Sequence, residues 1–286
     1  MQLDKTLRDA IASGALLLAL SGAALAEPAF AADGLQNDTV FVRIENQEVA
    51  YRPSGEFLRD GHPIDPPLTK IRPERAFFIM KRQVTRGEYS ACVSAGACRV
   101  LDEAGEAALP LVGVSYDDAI AYAAYLSETT GEAYRLPTDE EWAIAAGSRF
   151  QDDGLGVTTN SDNPAERWLA SYDAEAARAR KVEAEPRPIG SFGENEIGLL
   201  DVSGNIWEWT STCFTRHRLD ETGVASTHES CGVRIAEGEH RAYLTSFVRN
   251  PSAGACSVGI PPANLGIRLV REETGFFARI GRIFGF

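Results

Sequence analysis

Basic residues are scarce in this chain: 28 lysines and arginines face 41 aspartates and glutamates, for a net charge of -13. A nucleic-acid binder needs a lysine/arginine surplus to neutralise phosphates, so this balance argues against that class. The acid excess favours solubility and leaves carboxylates available for a divalent cation. Histidine is rarer still. His62, His217, His228 and His240 are scattered without a His-x-x-x-His pair, so a non-haem iron triad lacks its obvious ligands. No P-loop, dinucleotide fingerprint or nucleophile elbow is present. Beyond the N-terminal segment no run is long and apolar enough to cross a bilayer. Internal repeats and low-complexity linkers are also missing.

The N-terminus has the parts of a leader. Lys5 and Arg8 precede an apolar run from Ala15 to Ala26, and small-residue sites follow at Ala24-Leu-Ala26 and Ala29-Phe-Ala31. We read residues 1–31 as a signal peptide, with a mature start near Glu27 or Ala32. The run is too short to span a bilayer comfortably, which disfavours a retained anchor. Export implies an oxidising compartment, a bacterial periplasm, and the 5 cysteines fit one. Cys92 and Cys98 enclose a short loop with no Cys/His cluster beside it, so a local disulfide is the economical reading. Cys213 and Cys231 bracket a polar, turn-rich stretch and suggest a second bridge. Cys213 with Cys256 is also open, because spacing alone does not fix connectivity. The odd cysteine is either a reactive thiol or a buried, inert one.

Three helix starts carry one device. Thr85-Arg-Gly-Glu88, Ser115-Tyr-Asp-Asp118 and Thr138-Asp-Glu-Glu141 each place a hydroxyl three residues before an acid, the capping-box pattern. Ala119, Ile120, Ala123 and Leu126 then recur at helical spacing, and Pro137 keeps Leu136 extended ahead of the third helix. Strands are predicted at Thr39–Ile44 and Ala76–Met80, where β-branched and aromatic residues cluster. From residue 150 onward Gly, Pro, Asn, Asp and Ser are scattered throughout. This pattern predicts irregular structure rather than helix, held in a fold by Trp168, Trp207 and Trp209. One domain over 36–272 is expected, followed by a tail at 273–286. That tail, with 4 phenylalanines and 2 arginines, either touches a membrane surface or a partner, or folds back on its domain.

Three segments in order resemble the formylglycine-generating-enzyme (sulfatase-modifying factor) family. The first is Phe77-Phe-Ile-Met-Lys-Arg-Gln-Val-Thr-Arg-Gly-Glu-Tyr89, similar to F-x-I-x-K-x-E-V-T-x-x-x-Y with Gln83 in place of the glutamate. The second runs from Val114-Ser-Tyr-Asp-Asp-Ala to Arg135-Leu-Pro-Thr-Asp-Glu-Glu-Trp-Ala-Ile-Ala-Ala146. The third is Gly198-Leu-Leu-Asp-Val-Ser-Gly-Asn-Ile-Trp-Glu-Trp209, closed far downstream by Asn264-Leu-Gly-Ile-Arg268. The resemblance spans residues 40–271. It implies an α+β fold related to C-type lectins, with much irregular structure.

The third segment has chemistry of its own. Asp201 and Glu208 supply carboxylates, and Gly204 and Ile206 offer carbonyls from the turn between them, a donor set suited to Ca²⁺. The resemblance points to the same four residues. The alternative is structural: Asp201 caps the turn and Glu208 pairs with a buried arginine. Formylglycine formation, as the resemblance implies, uses copper on two cysteine thiolates near the C-terminus, a soft Cu(I) site. The matching positions here fall near Arg249 and Gly254, neither of them cysteine, with Cys256 two places beyond. Copper is therefore doubtful, and so is iron.

Cys256 and Arg249 are the candidate catalytic residues, and Arg268 is read as a structural ion-pair partner. The resemblance extends to exported members that tailor the pyoverdine chromophore or accompany nitrite reductase. It implies an accessory or maturation role on a periplasmic protein or small molecule. The alternative is a lectin-like binding module that has lost catalysis.

Overall fold

The computed structural model describes residues 40–101, 105–152, 164–179, 185–248 and 264–273. The leader at 1–31, the candidates Arg249 and Cys256, and the tail from 274 onward lie outside the described residues.

Strand alternation at the centre of the fold separates two cores. β1 (Phe41–Ile44), β2 (Val49–Tyr51), β3 (Glu56–Arg59), β4 (His62–Ile64) and β5 (Thr69–Ile71) lead into β6 (Phe77–Met80). Successive side chains of a strand point to opposite faces. In β6, Phe77 and Ile79 join one core with Trp142, Leu199 and Val270, while Met80 joins the other with Tyr122, Leu126 and Trp209. β1 pairs antiparallel with β6, Phe41 opposite Met80 and Ile44 opposite Phe77, so the predicted strands form as an adjacent pair.

All three capping boxes form. α1 (Arg86–Ser94), α2 (Tyr116–Thr130) and α3 (Asp139–Ala146) start at Thr85, Ser115 and Thr138, each hydroxyl accepting from the N–H of the acid three residues on. The acid closes the box: Glu88, Asp118 and Glu141 accept from the backbone N–H of their own caps at 2.8, 2.9 and 2.8 Å. α2 packs its apolar face against the first core, and β7 (Tyr134–Arg135) follows it. In α3 every residue from Trp142 to Ala146 is buried, so this short helix is a core element rather than a surface one.

The second half departs from its expected irregularity. α4 (Pro164–Ala179) is a 16-residue helix, which corrects the reading that no regular helix follows residue 150. Its first helical residue is proline, whose missing N–H costs nothing there, and Ala, Glu, Leu and Arg propagate it. β8 (Trp207–Asp220) and β9 (Gly223–Glu237) form a long antiparallel hairpin, bent by register shifts on either side of Cys213. β10 (Ala242–Thr245), β11 (Leu265–Gly266) and β12 (Val270–Glu272) complete the chain order.

One sheet runs β1-β6-β12-β7. The second runs β10-β9-β8-β3-β4, with β11 parallel to β8, and β2-β5 form a small ribbon. Both expected bridges, Cys92–Cys98 and Cys213–Cys231, are present. Among the described residues no helix is long and apolar enough to cross a membrane.

Candidate functional site

The Gly-Asn-Ile-Trp-Glu-Trp segment enters β8 through a constrained turn. Asp201, Ser203 and Asn205 sit at φ of 56°, 61° and 65°, a left-handed region that residues with a Cβ occupy only when the surroundings impose it. Here they do. Asp201 accepts from the N–H groups of Phe192 (2.8 Å) and Gly190 (2.6 Å) with one oxygen each. Ser203 Oγ donates to the Arg149 carbonyl at 2.6 Å, and the Asn205 amide brackets the Arg187 backbone at 2.8 and 2.9 Å. A Cβ at Gly204 would lie 2.8 Å from the Phe192 ring, so a side chain there would require that ring to shift.

Glu208 follows on β8 and is 1% exposed. Its Oε1 accepts from Gln83 Nε2 (2.8 Å) and an Arg268 terminal nitrogen (2.9 Å). Its Oε2 accepts from Trp142 Nε1 (2.6 Å) and Arg268 Nε (2.8 Å). Arg268 places two more donors on the carbonyls of Met80 (3.0 Å) and Leu200 (2.9 Å). Gln83 Nε2 also reaches the Asp201 carbonyl at 3.3 Å, tying the turn to the pair. A carboxylate offers about four lone-pair directions, and four N–H donors take them.

This is the structural alternative weighed for Asp201 and Glu208: a capped turn and a buried Arg–Glu pair. Of the four residues expected to hold calcium, Asp201, Gly204, Ile206 and Glu208, the Glu208 carboxylate is the one fully engaged by protein donors. Glu208 has no free lone pair, while the Gly204 carbonyl, which accepts once from the Ile206 N–H at 2.8 Å, keeps a second.

A second charged cluster lies one turn back along α3 and was not anticipated. Asp139, Glu237 and Arg241 are each at most 1% exposed. Arg241 Nε donates to Glu237 at 3.1 Å and to Asp139 at 3.3 Å, and Tyr51 donates its hydroxyl to Asp139 at 2.6 Å. Two carboxylates and one guanidinium would leave a net negative charge in a dry interior, a costly state. Burial, then the Asp139 charge, pushes the Glu237 carboxyl well above its ordinary range. Burial acts on Asp139 too, but Arg241 and hydrogen bonds from Glu237, Tyr51 and Ser54 outweigh it and hold that carboxyl low. The two carboxyls are thus driven apart, Glu237 toward its neutral form and Asp139 toward its charged one. Burial also pushes the Tyr51 phenol up.

The signal for this cluster was weak. Asp139 was legible only as part of a helix cap, and Glu237 and Arg241 stand in no motif.

The remaining candidates are spread out. His217 stacks on Phe57 at 4.3 Å between ring centres, and His240 Nδ1 donates to the Arg241 carbonyl at 2.7 Å while packing edge-on to Trp207. Among the described residues, the one group of ligating side chains close enough for a metal is Cys213, Glu229 and Cys231, and its two sulfurs are bonded to each other. A mixed-charge cleft lies between β1, β12 and the start of α3. Arg43, Glu74, Arg75, Arg135 and Glu140 are among the residues lining it.

Comparison with known proteins agrees with this architecture. The family model described as a sulfatase-modifying factor enzyme 1-like domain matches residues 36–273. The formylglycine-generating enzyme of Mycobacterium tuberculosis (strain ATCC 25618 / H37Rv) is 35% identical over 141 residues, covering 46% of this chain and 44% of that protein. A mouse (Mus musculus) protein named inactive C-alpha-formylglycine-generating enzyme 2 is 29% identical over 174 residues, covering 56% and 48%. The chain thus spans about half the length of the curated relatives it matches. The solved structure of PvdO from Pseudomonas aeruginosa superposes with a TM-score of 0.50 at 20% identity, covering 82% of this chain and 94% of that one, a likeness of fold. With a matched domain that takes in nearly every element described above, this chain belongs to the sulfatase-modifying factor family of formylglycine-generating-enzyme-like proteins.

Proposed function

We propose that the chain is an exported accessory or maturation protein of this family, acting on a partner protein or small metabolite without two-thiolate copper chemistry. The observation that carries this reading is the cysteine count. Of 5 cysteines, 4 are joined in the Cys92–Cys98 and Cys213–Cys231 bridges. Cys256 alone is left over, and one thiolate does not make the linear two-sulfur site that suits Cu(I). A relative whose own name marks it inactive supports the same view. The turn around Asp201 and the Glu208–Arg268 pair then serve as a rigid platform, independent of any bound ion.

Metal analysis of untagged protein, Cu(I) titration and alkylation of native Cys256 test the proposal together. The expected result is no tight copper site and a Cys256 that alkylates readily. One tightly bound copper per chain would overturn the claim about chemistry. An inert Cys256 would replace the maturation role with a lectin-like binding module. Added calcium is expected to leave the Tm unchanged, and a calcium-dependent rise lost in Asp201→Ala would install that ion after all.

A further inference from the structure

The two disulfides stand in different surroundings. Cys92, in the last turn of α1, and Cys98, just after that helix, are both buried, at 0% and 8% exposure. In the Cys213–Cys231 bridge the sulfurs are unlike each other. Cys213 is buried in β8, whereas Cys231 is exposed at a register shift of β9: Cys213 pairs with Arg234 and Phe214 with Ser230, so residues 231–233 have no partner in β8, while Val233 pairs with Thr245 of β10.

Arg234 sits over the buried sulfur. One terminal guanidinium nitrogen donates to Cys213 Sγ at 2.8 Å and to the Ser211 carbonyl at 2.6 Å. The guanidinium is held in place by the Tyr116 ring, whose centre is 4.2 Å from its central carbon. Its Nε is buried and finds no acceptor among the described residues. A fixed cation with a donor to spare is more than a neutral disulfide sulfur requires. It is what a thiolate at that position would use. The third group nearby is Glu229, an exposed carboxylate on β9 whose oxygen lies within 4.8 Å of both sulfurs.

We infer that Cys213–Cys231 is a thiol-exchange site, at which a small aliphatic thiol adds to Cys231 and Arg234 holds Cys213 as the departing thiolate. The electron pair of the incoming thiolate forms a new S–S bond to Cys231 Sγ. The Cys231–Cys213 bond breaks, and its electron pair stays on Cys213 Sγ as a negative charge facing the guanidinium. One disulfide replaces another, so no external oxidant is needed, and return attack by Cys213 expels the thiol and closes the bridge. Exchange speeds up as the leaving thiol becomes more acidic and as the attacked sulfur becomes more accessible, and this bridge has both conditions on the correct atoms. The Glu229 charge beside the approach path disfavours anionic thiols relative to neutral or cationic ones.

The experiment uses the full chain with Cys256→Ser, which prevents internal reshuffling. Native protein is exposed to cysteamine, 2-mercaptoethanol or 3-mercaptopropionate at equal thiolate concentration. It is then quenched with iodoacetamide and mapped by mass spectrometry. The thiol adduct is expected on Cys231, with Cys213 alkylated, at a rate at least about tenfold above any opening of Cys92–Cys98. Arg234→Met is expected to slow exchange by roughly tenfold, with Arg234→Lys recovering part of the rate. Glu229→Gln is expected to narrow a roughly two- to fivefold preference for the cationic thiol. Equal rates at the two bridges, an adduct on Cys213, or identical rates for the Met and Lys variants would each overturn the inference. Thermal melts of each variant separate loss of fold from loss of exchange.

Discussion

Glu237→Gln tests whether the fold stores a proton between α3 and β9. In the native protein Glu237 is fully buried, faces Asp139 and Arg241, and has its carboxyl pushed well above the ordinary value near 4.5. In the unfolded chain the same group ionises near that ordinary value. Between the two, the folded state holds one more proton, so stability falls as pH rises, by about 1.4 kcal/mol per pH unit. The slope ends where the folded value is reached.

Glutamine has nearly the same shape, keeps a donor toward Asp139 and cannot ionise. It removes this slope. Asp139 acts in the opposite sense, since its folded value is depressed below 3.8; its contribution is lost only as pH falls below that range. Urea melts of parent and variant at half-unit steps from pH 5 to 8 give the difference directly, and other titrating groups cancel. The variant should gain on the parent steadily with pH. A difference that stays flat, or that shrinks with pH, would refute the protonated-Glu237 reading.

Two further outcomes follow from the packing. Arg268→Met leaves Glu208 buried without its partner and should cost about 3–5 kcal/mol, whereas Arg268→Met with Glu208→Gln should cost clearly less than the two single changes summed. Additivity in a urea-melt cycle would show that the two residues act independently. Gly266→Ala would put a Cβ 2.2 Å from the Leu111 carbonyl oxygen and 2.5 Å from Ile206 Cδ1; with backbone on one side, a loss of about 3 kcal/mol is expected. A Tm close to that of the parent would contradict it.

What could be read from the residues was mostly local. A capping box spans four residues, so Thr85, Ser115 and Thr138 announced their helices without help from the rest of the chain. The Arg268–Glu208 pair was legible as an alternative, because both residues stand in motifs, but choosing it over calcium required Gln83 and Trp142. Those two donors come from separate elements and meet Glu208 only in the folded core. The Asp139–Glu237–Arg241 cluster was invisible for a similar reason: β9 must pair with β8 before Glu237 faces α3. α4 was missed differently. Its helix-forming run from Pro164 was averaged together with the Gly- and Asn-rich sequence around it.

The pairing of the last strands sets a condition on how the protein is made. β12 inserts between β6 and β7, and β11 lies alongside β8, so residues 264–272 complete both larger sheets. Arg268 arrives with that segment and neutralises a carboxylate emplaced sixty residues earlier. Until the ribosome has released it, β6 has an open edge and Glu208 lacks its counter-ion. Such sequence-distant closure is slow, and it leaves hydrophobic strand edges uncovered in the meantime. A nascent chain of this kind has to be shielded until its end is out, and one cut short before residue 264 has no route to the native state.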